Sequence, residues 1–173
     1  MRRLRASLLA LTATLALVAV GASPAVAAPR TLNFSLIFHG SVSNSCPPGV
    51  LTCATVLVPG FGRATATFTG TSFIPGVPEP NCFTAGGIVG VTLQSDGSTL
   101  LLATEQVGCT PGASGTAPGT LGTSGGPPFL AEGTWSVIGG AGIFAGATGG
   151  GTASTNNAGD VSVSRYFGTI TLP

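Results

Sequence analysis

Gly133-Thr134-Trp135-Ser136-Val137-Ile138-Gly139-Gly140-Ala141-Gly142-Ile143-Phe144-Ala145-Gly146-Ala147-Thr148-Gly149 is the stretch on which the reading of this chain turns. Part of it, Gly140-x-Gly142-x-x-Ala145 behind an apolar run, has the outline of a dinucleotide-binding fingerprint. That fingerprint needs a helix after the turn and an acid about 20 residues further on, inside a βαβ unit. The glycines from Gly146 to Gly151 forbid the helix, so the nucleotide reading is rejected. The segment reads instead as two strands meeting through a glycine turn. Trp135 and Phe144 then supply bulk to a core built otherwise from small residues, and glycines at strand bends let a sheet curl or close.

The rest of the chain agrees with a β reading. In Thr31–Phe38 the residues Leu32, Phe34, Leu36 and Phe38 share one face at period two. From Ala64 to Phe73, Thr65, Thr67 and Thr69 alternate with Ala64, Ala66 and Phe68, a β-branched surface against a buried one. Gly87–Gln94 and Thr99–Val107 flank Ser95-Asp96-Gly97-Ser98, and an Asp-Gly turn between apolar runs is a hairpin signal. Further strands are expected at Ala54–Val58, Leu130–Ile138, Ala147–Ser154 and Val161–Leu172. The fold class is all-β: a single antiparallel β-barrel of about eight strands, with a β-sandwich as the alternative. Thr110 to Pro128, dense in Gly and Pro, is expected to be a flexible loop.

Composition narrows the function classes. Only 11 of 173 residues carry a formal charge, 6% against roughly 25% in ordinary soluble domains. Helical bundles and coiled coils need more charge and better helix formers than 28 glycines allow. Six arginines spread end to end cannot build the basic face that nucleic acid requires. An apolar content of 43% excludes an acidic disordered tail.

Arg2, Arg3 and Arg5, the apolar run Leu8–Val20 and the small-x-small site Ala25-Val26-Ala27 form the pattern of a secretory signal peptide over 1–27. The run is short for a bilayer, which needs about 20 residues. The expected product is a secreted domain over 28–173 with no membrane attachment after cleavage. It keeps Arg30, Arg63 and Arg165 against Glu79, Asp96, Glu105, Glu132 and Asp160, three against five, so the net charge turns from +1 to −2.

Four cysteines, Cys46, Cys53, Cys82 and Cys109, remain in an exported chain and read as two disulfides. Three connectivities are possible. Local geometry favours Cys46–Cys53, which brackets the turn-forming Pro47-Pro48-Gly49, and Cys82–Cys109, at the outer ends of the candidate hairpin. Zinc fails on spacing, with no C-x2-C pair and one histidine. No metal and no cofactor is expected.

Chemistry-bearing residues are few. His39, the one histidine, falls on the outward parity of its strand, and no G-x-S-x-G elbow accompanies it. Asp96, Asp160 and Glu79 are explained by turns and prolines. Glu105 and Glu132 lie within expected strands and are the only acids that could face a cavity, although exposure is the favoured reading. Asn33-Phe34-Ser35 fits the glycosylation sequon, read here as chance. No catalytic residue is assigned. The candidate cavity-lining residues are Phe34, Phe38, Phe68, Trp135, Phe144, Glu105 and Glu132.

The string Gly133–Gly151 resembles the G-T-W-x-V-x-G-G-x-G-x-F-x-G-A-T-G-x-G signature of exported bacterial proteins of unassigned function. More distantly, it is similar to the G-x-G-x-F element of allene oxide cyclase-like and dirigent-like β-barrels. The resemblance implies an eight-stranded antiparallel barrel with a central cavity, and it carries fold rather than chemistry. The function expected is non-enzymatic: a barrel whose cavity or mouth takes a small apolar molecule. The alternatives are a structural or cell-surface-associated protein and, from the resemblance, a cyclase- or isomerase-like enzyme. Nucleic acid is not an expected partner, and the oligomeric state is left open.

Overall fold

Eight strands form one antiparallel sheet: β1 (Arg30–Gly40), β2 (Thr52–Val58), β3 (Gly62–Pro75), β4 (Cys82–Leu93), β5 (Thr99–Cys109), β6 (Phe129–Ala141), β7 (Thr148–Asn157) and β8 (Ser162–Leu172). The computed structural model describes residues 28–40, 46–110, 128–158 and 161–173. The expected signal peptide, most of the expected flexible loop and Asp160 lie outside the described residues. From β2 to β8 each strand pairs with its sequence neighbour, and β8 returns to pair with β1 along the full length of both. The result is a nearly closed barrel. Its seam runs between β1 and β2, where a methyl group added to Gly40 would lie 3.2 Å from Thr52 Cβ.

The expected strands are all present, with two revisions. β4 starts at Cys82 rather than Gly87, because Phe83 and Ala85 continue the inward alternation and Cys82 pairs directly with Cys109 across the ladder. Thr110, assigned by sequence to the loop, belongs to the fold. It is buried, its hydroxyl and N–H both donate to the Asn81 carbonyl, and the Asn81 side-chain amide donates to the Thr110 carbonyl. The Asp-Gly turn forms as read: Gly97 has φ +73° and the Ser98 N–H donates to Asp96 Oδ1 at 2.9 Å. That bond holds the exposed Asp96 carboxyl below its usual pKa.

One rung organises the interior. Trp135, Gly151, Gly168 and Phe34 are direct partners across β6, β7, β8 and β1. The two glycines form a floor without side chains. The Trp135 indole crosses it, and a methyl on Gly168 would come 2.8 Å from the ring. Its Nε1–H donates to the Phe167 carbonyl at 3.2 Å, and Phe34 meets the ring from the far side at 5.2 Å between centroids. Indole burial therefore leaves no unpaired N–H. The same device recurs at Gly87, whose missing side chain makes room for the Phe68 ring. Below the Trp135 rung the barrel is packed by Val58, Val91, Leu100, Leu102 and Ile170.

The Gly-rich motif closes the lower end. After β6 the chain makes a single 3-10 turn, Gly142–Phe144, which drives Phe144 fully out of solvent and against Phe61 at 5.0 Å. Gly142 has φ +65° and lies against the buried Ser98, whose Oγ accepts the Ile143 N–H. A side chain at Gly140 would overlap Phe144 itself. The motif is thus a plug and its seat.

Both disulfides join as the sequence suggested, Cys46–Cys53 across a separation of 7 residues and Cys82–Cys109 across 27. Because loop closure constrains the unfolded chain more for the longer loop, the double Cys82→Ser/Cys109→Ser variant is expected to lose about 3.5 kcal/mol and Cys46→Ser/Cys53→Ser about 2.5. Phe144→Ala is expected to lose roughly 3–5 kcal/mol by opening the lower plug. Urea unfolding of the three variants checks the order, and a Phe144→Ala loss under 1 kcal/mol would contradict the plug.

Candidate ligand site in the upper barrel

At the upper end, where β4 begins and β5 ends, the apolar interior divides in two. The main cluster takes in Val89, Ala153 and Tyr166 and, on β1 beside Ser164, Phe38. A separate small cluster, Phe83, Ala85 and Ala131 with Phe73 and Phe129 against them, sits at the mouth. Its rings are in contact, Phe83 with Phe73 at 5.2 Å and with Phe129 at 5.0 Å. Between the two clusters β5 and β8 turn polar side chains inward: Thr104, Gln106 and Ser164.

Strand parity places them there. The inward residues of β5 run Leu100, Leu102, Thr104, Gln106, so an apolar column becomes polar halfway up the strand. β8 contributes Ser164 and Tyr166 from the same parity as Ile170. The rung through Gln106 explains why it reaches far. Its partners are Ala85 on β4, Gly133 on β6, Ala153 on β7 and Tyr166 on β8. Beyond them the rung continues to Phe73 on β3 and Leu36 on β1; between β4 and β8 only Gln106 and Tyr166 carry more than a methyl group, and they meet each other.

The hydrogen-bond inventory of this layer is incomplete. Gln106 Nε2 donates to Thr104 Oγ1 at 3.3 Å, and Thr104 Oγ1 donates to the Thr134 carbonyl at 3.2 Å. Ser164 and Thr155 hydroxyls bond each other at 2.9 Å. Gln106 Oε1 is buried and has no partner. A buried acceptor left unpaired costs about 1–3 kcal/mol, so such an atom in a native fold calls for an explanation. Burial pushes the Tyr166 hydroxyl up to about 12, with side-chain hydrogen bonds from Ser164 and Gln106 pulling the other way. The phenol is neutral throughout the physiological range.

The residues singled out by sequence fall into two groups. Phe34, Phe38, Trp135 and Phe144 are buried, and Phe68 is half-buried against the same core. Glu105 and Glu132 do not line the interior: both are exposed, because Thr104 and Gln106 on β5 and Ala131 and Trp135 on β6 occupy the inward parity. His39 is exposed at the end of β1, as its parity implied. Sequence reading missed Gln106 and Tyr166. The signal was present in the period-two continuation of Leu100 and Leu102 to Gln106, and of Ile170 back to Tyr166.

Glu105 does face a depression on the outside of the barrel. This groove of about 430 Å³ crosses β3 to β6 over Gly86, Gly87 and Ala103, with Thr71, Ser72, Thr134 and Ser136 along it. The two register shifts of the sheet, between Gly70 and Ser72 and between Leu101 and Leu102 opposite Ile138, border it. Glu105 is its one charged residue. Among the described residues, no group of three or more His, Cys, Asp or Glu could hold a metal ion. Comparison with protein-family models, with curated proteins and with solved structures found no match.

Tyr166 is the only tyrosine of the chain, so its ionisation can be followed by phenolate absorbance without interference. Its folded pKa is raised above the unfolded value of about 10. The associated stability is therefore fully present below pH 10 and is lost as the pH climbs through about 12. The loss expected over that window is roughly 2–3 kcal/mol, and Tyr166→Phe should remove the dependence. A phenol titrating near 10 in the folded protein would place Tyr166 in contact with water.

Proposed function

We propose that this protein is a non-enzymatic β-barrel that works outside the cell and takes a small, mainly apolar molecule into its upper interior. The observation that carries the reading is the break in the core. A band of inward polar side chains, one with an unpaired acceptor, lies beneath an aromatic cluster that is separate from the packed lower barrel. Ligand sites are largely apolar with a few convergent polar groups, and this band has that make-up. The chain's resemblance to cyclase-like and dirigent-like barrels agrees with it at the level of fold. The two disulfides and the signal-like N-terminus favour an oxidising, extracellular setting. The cyclase- or isomerase-like alternative called for a polar residue or ordered water inside the barrel, with an inward Glu105 or Glu132 counting in its favour. Glu105 and Glu132, its candidates, face outward.

A surface-associated role draws support from a different observation. Thr55, Thr65, Thr92 and Thr99 are successive partners across β2, β3, β4 and β5, forming an outward row of hydroxyls with neighbours about 4.8 Å apart. Such a row could engage a repeating polar surface.

The two readings separate in one experiment. 1-Aminoanthracene, an apolar fluorophore, is titrated into the secreted protein while native mass spectrometry records what the purified protein already carries. Uptake is expected to enhance the dye's fluorescence with one dye per barrel, and to raise Tm. No enhancement and no Tm change, combined with retention on cell-wall material through the threonine row, would favour the surface role and end the binding reading.

A further inference from the structure

We infer that the molecule taken by the upper barrel is uncharged and carries a hydrogen-bond donor on an apolar skeleton, with Gln106 Oε1 as the acceptor that selects it. This deepens the binding-protein reading and rests on it.

The chemistry follows from what each group in the band can do. Hydroxyls both donate and accept, and those of Thr104, Thr155 and Ser164 are already engaged with protein partners. The carboxamide of Gln106 is different, because its two ends are chemically distinct. The nitrogen end is used, on Thr104 and towards Tyr166, and the oxygen end is not. A carboxamide oxygen can only accept, so the group that completes it must be an O–H or an N–H.

The surroundings fix the rest of the ligand. Every buried polar side chain among the described residues is neutral: Thr52, Ser98, Thr104, Gln106, Thr110 and Ser164 beside Tyr166. A charged guest would lose its hydration without gaining a counter-ion, which costs far more than one hydrogen bond returns. The walls beside Gln106 are Ala85, Ala131, Gly133 and Ala153, with Leu36 beyond Tyr166, apolar groups that offer contact and no competing donor. Above them stand the rings of Phe73, Phe83 and Phe129. An alcohol, a phenol or a neutral N–H compound meets these terms. A ketone, ester or plain hydrocarbon leaves Oε1 unpaired.

Two matched pairs test this: cyclohexanol against cyclohexanone, and menthol against menthone. Binding is read by the fluorescence of Trp135, the only tryptophan, and by Tm shift. Within at least one pair the alcohol is expected to bind about tenfold more tightly than its ketone, the scale of one buried unpaired acceptor. Gln106→Leu is expected to fold, keep ketone binding within about twofold, and reduce the alcohol's advantage to about twofold or less. Thr104→Val, which frees Nε2 without touching Oε1, should retain the preference. Equal affinity of alcohol and ketone for the wild type, with binding intact, overturns the role of Gln106 and leaves the binding reading standing. Failure of all four compounds and of 1-aminoanthracene to bind overturns both.

Discussion

The Trp135 indole lying across Gly151 and Gly168 is the constraint on which the rest of the barrel depends. It spans three strands, β6, β7 and β8, and meets Phe34 of a fourth. In a chain with few large side chains, one bicyclic ring does the filling that several leucines would do elsewhere, and it can do so only because the two positions beneath it are glycine. Glycine in a strand normally weakens it by entropy and lost packing. Here a neighbouring ring recovers the packing, and the sheet gains the freedom to curl until β8 reaches β1. The same exchange, Phe68 over Gly87 and Phe144 against Gly140, shows one building rule used from the lower plug to the middle of the barrel.

That rule also accounts for the low charge. Strands that alternate small and aromatic residues inward with threonine and serine outward need no ion pairs to be satisfied, and the ladder takes care of the backbone. Where the rule stops, the site begins. In the rung through Gln106 the small positions remain, Ala85, Gly133 and Ala153, but the ring that should cover them is a tyrosine, and the other long side chain is an amide. A hydrocarbon at position 106 would complete the core; glutamine instead leaves a buried acceptor without a partner. Departures from local packing rules are where function is expected to lie.

Much of this was legible in the sequence, for identifiable reasons. Period-two alternation in Leu32–Phe38 and Ala64–Phe68 placed strands and faces, the Asp96-Gly97 turn placed a hairpin, and the cysteine spacing placed both disulfides. The barrel over the sandwich could be favoured only because of the glycines in 133–151. Less was legible at the site. Phe34, Phe38, Trp135 and Phe144 were marked because aromatics are rare in this chain, yet they build the solid core. Gln106 and Tyr166 were passed over because neither titrates near neutrality and nothing local distinguishes them. Their meeting depends on three strands of curvature, which no window of sequence contains. Glu105 and Glu132 drew attention through their charge, while their parity had already turned them outward.

The central claim is that the barrel is solid up to the Trp135 rung and incomplete at the Gln106 rung. A high-resolution crystal structure of the protein tests it most directly, through the electron density around Gln106 Oε1. Density is expected for a guest or an ordered water within hydrogen-bonding distance of that oxygen, and none among Val58, Leu100, Leu102 and Ile170. A Gln106 amide bonded at both ends to protein atoms in a fully packed upper barrel would contradict it.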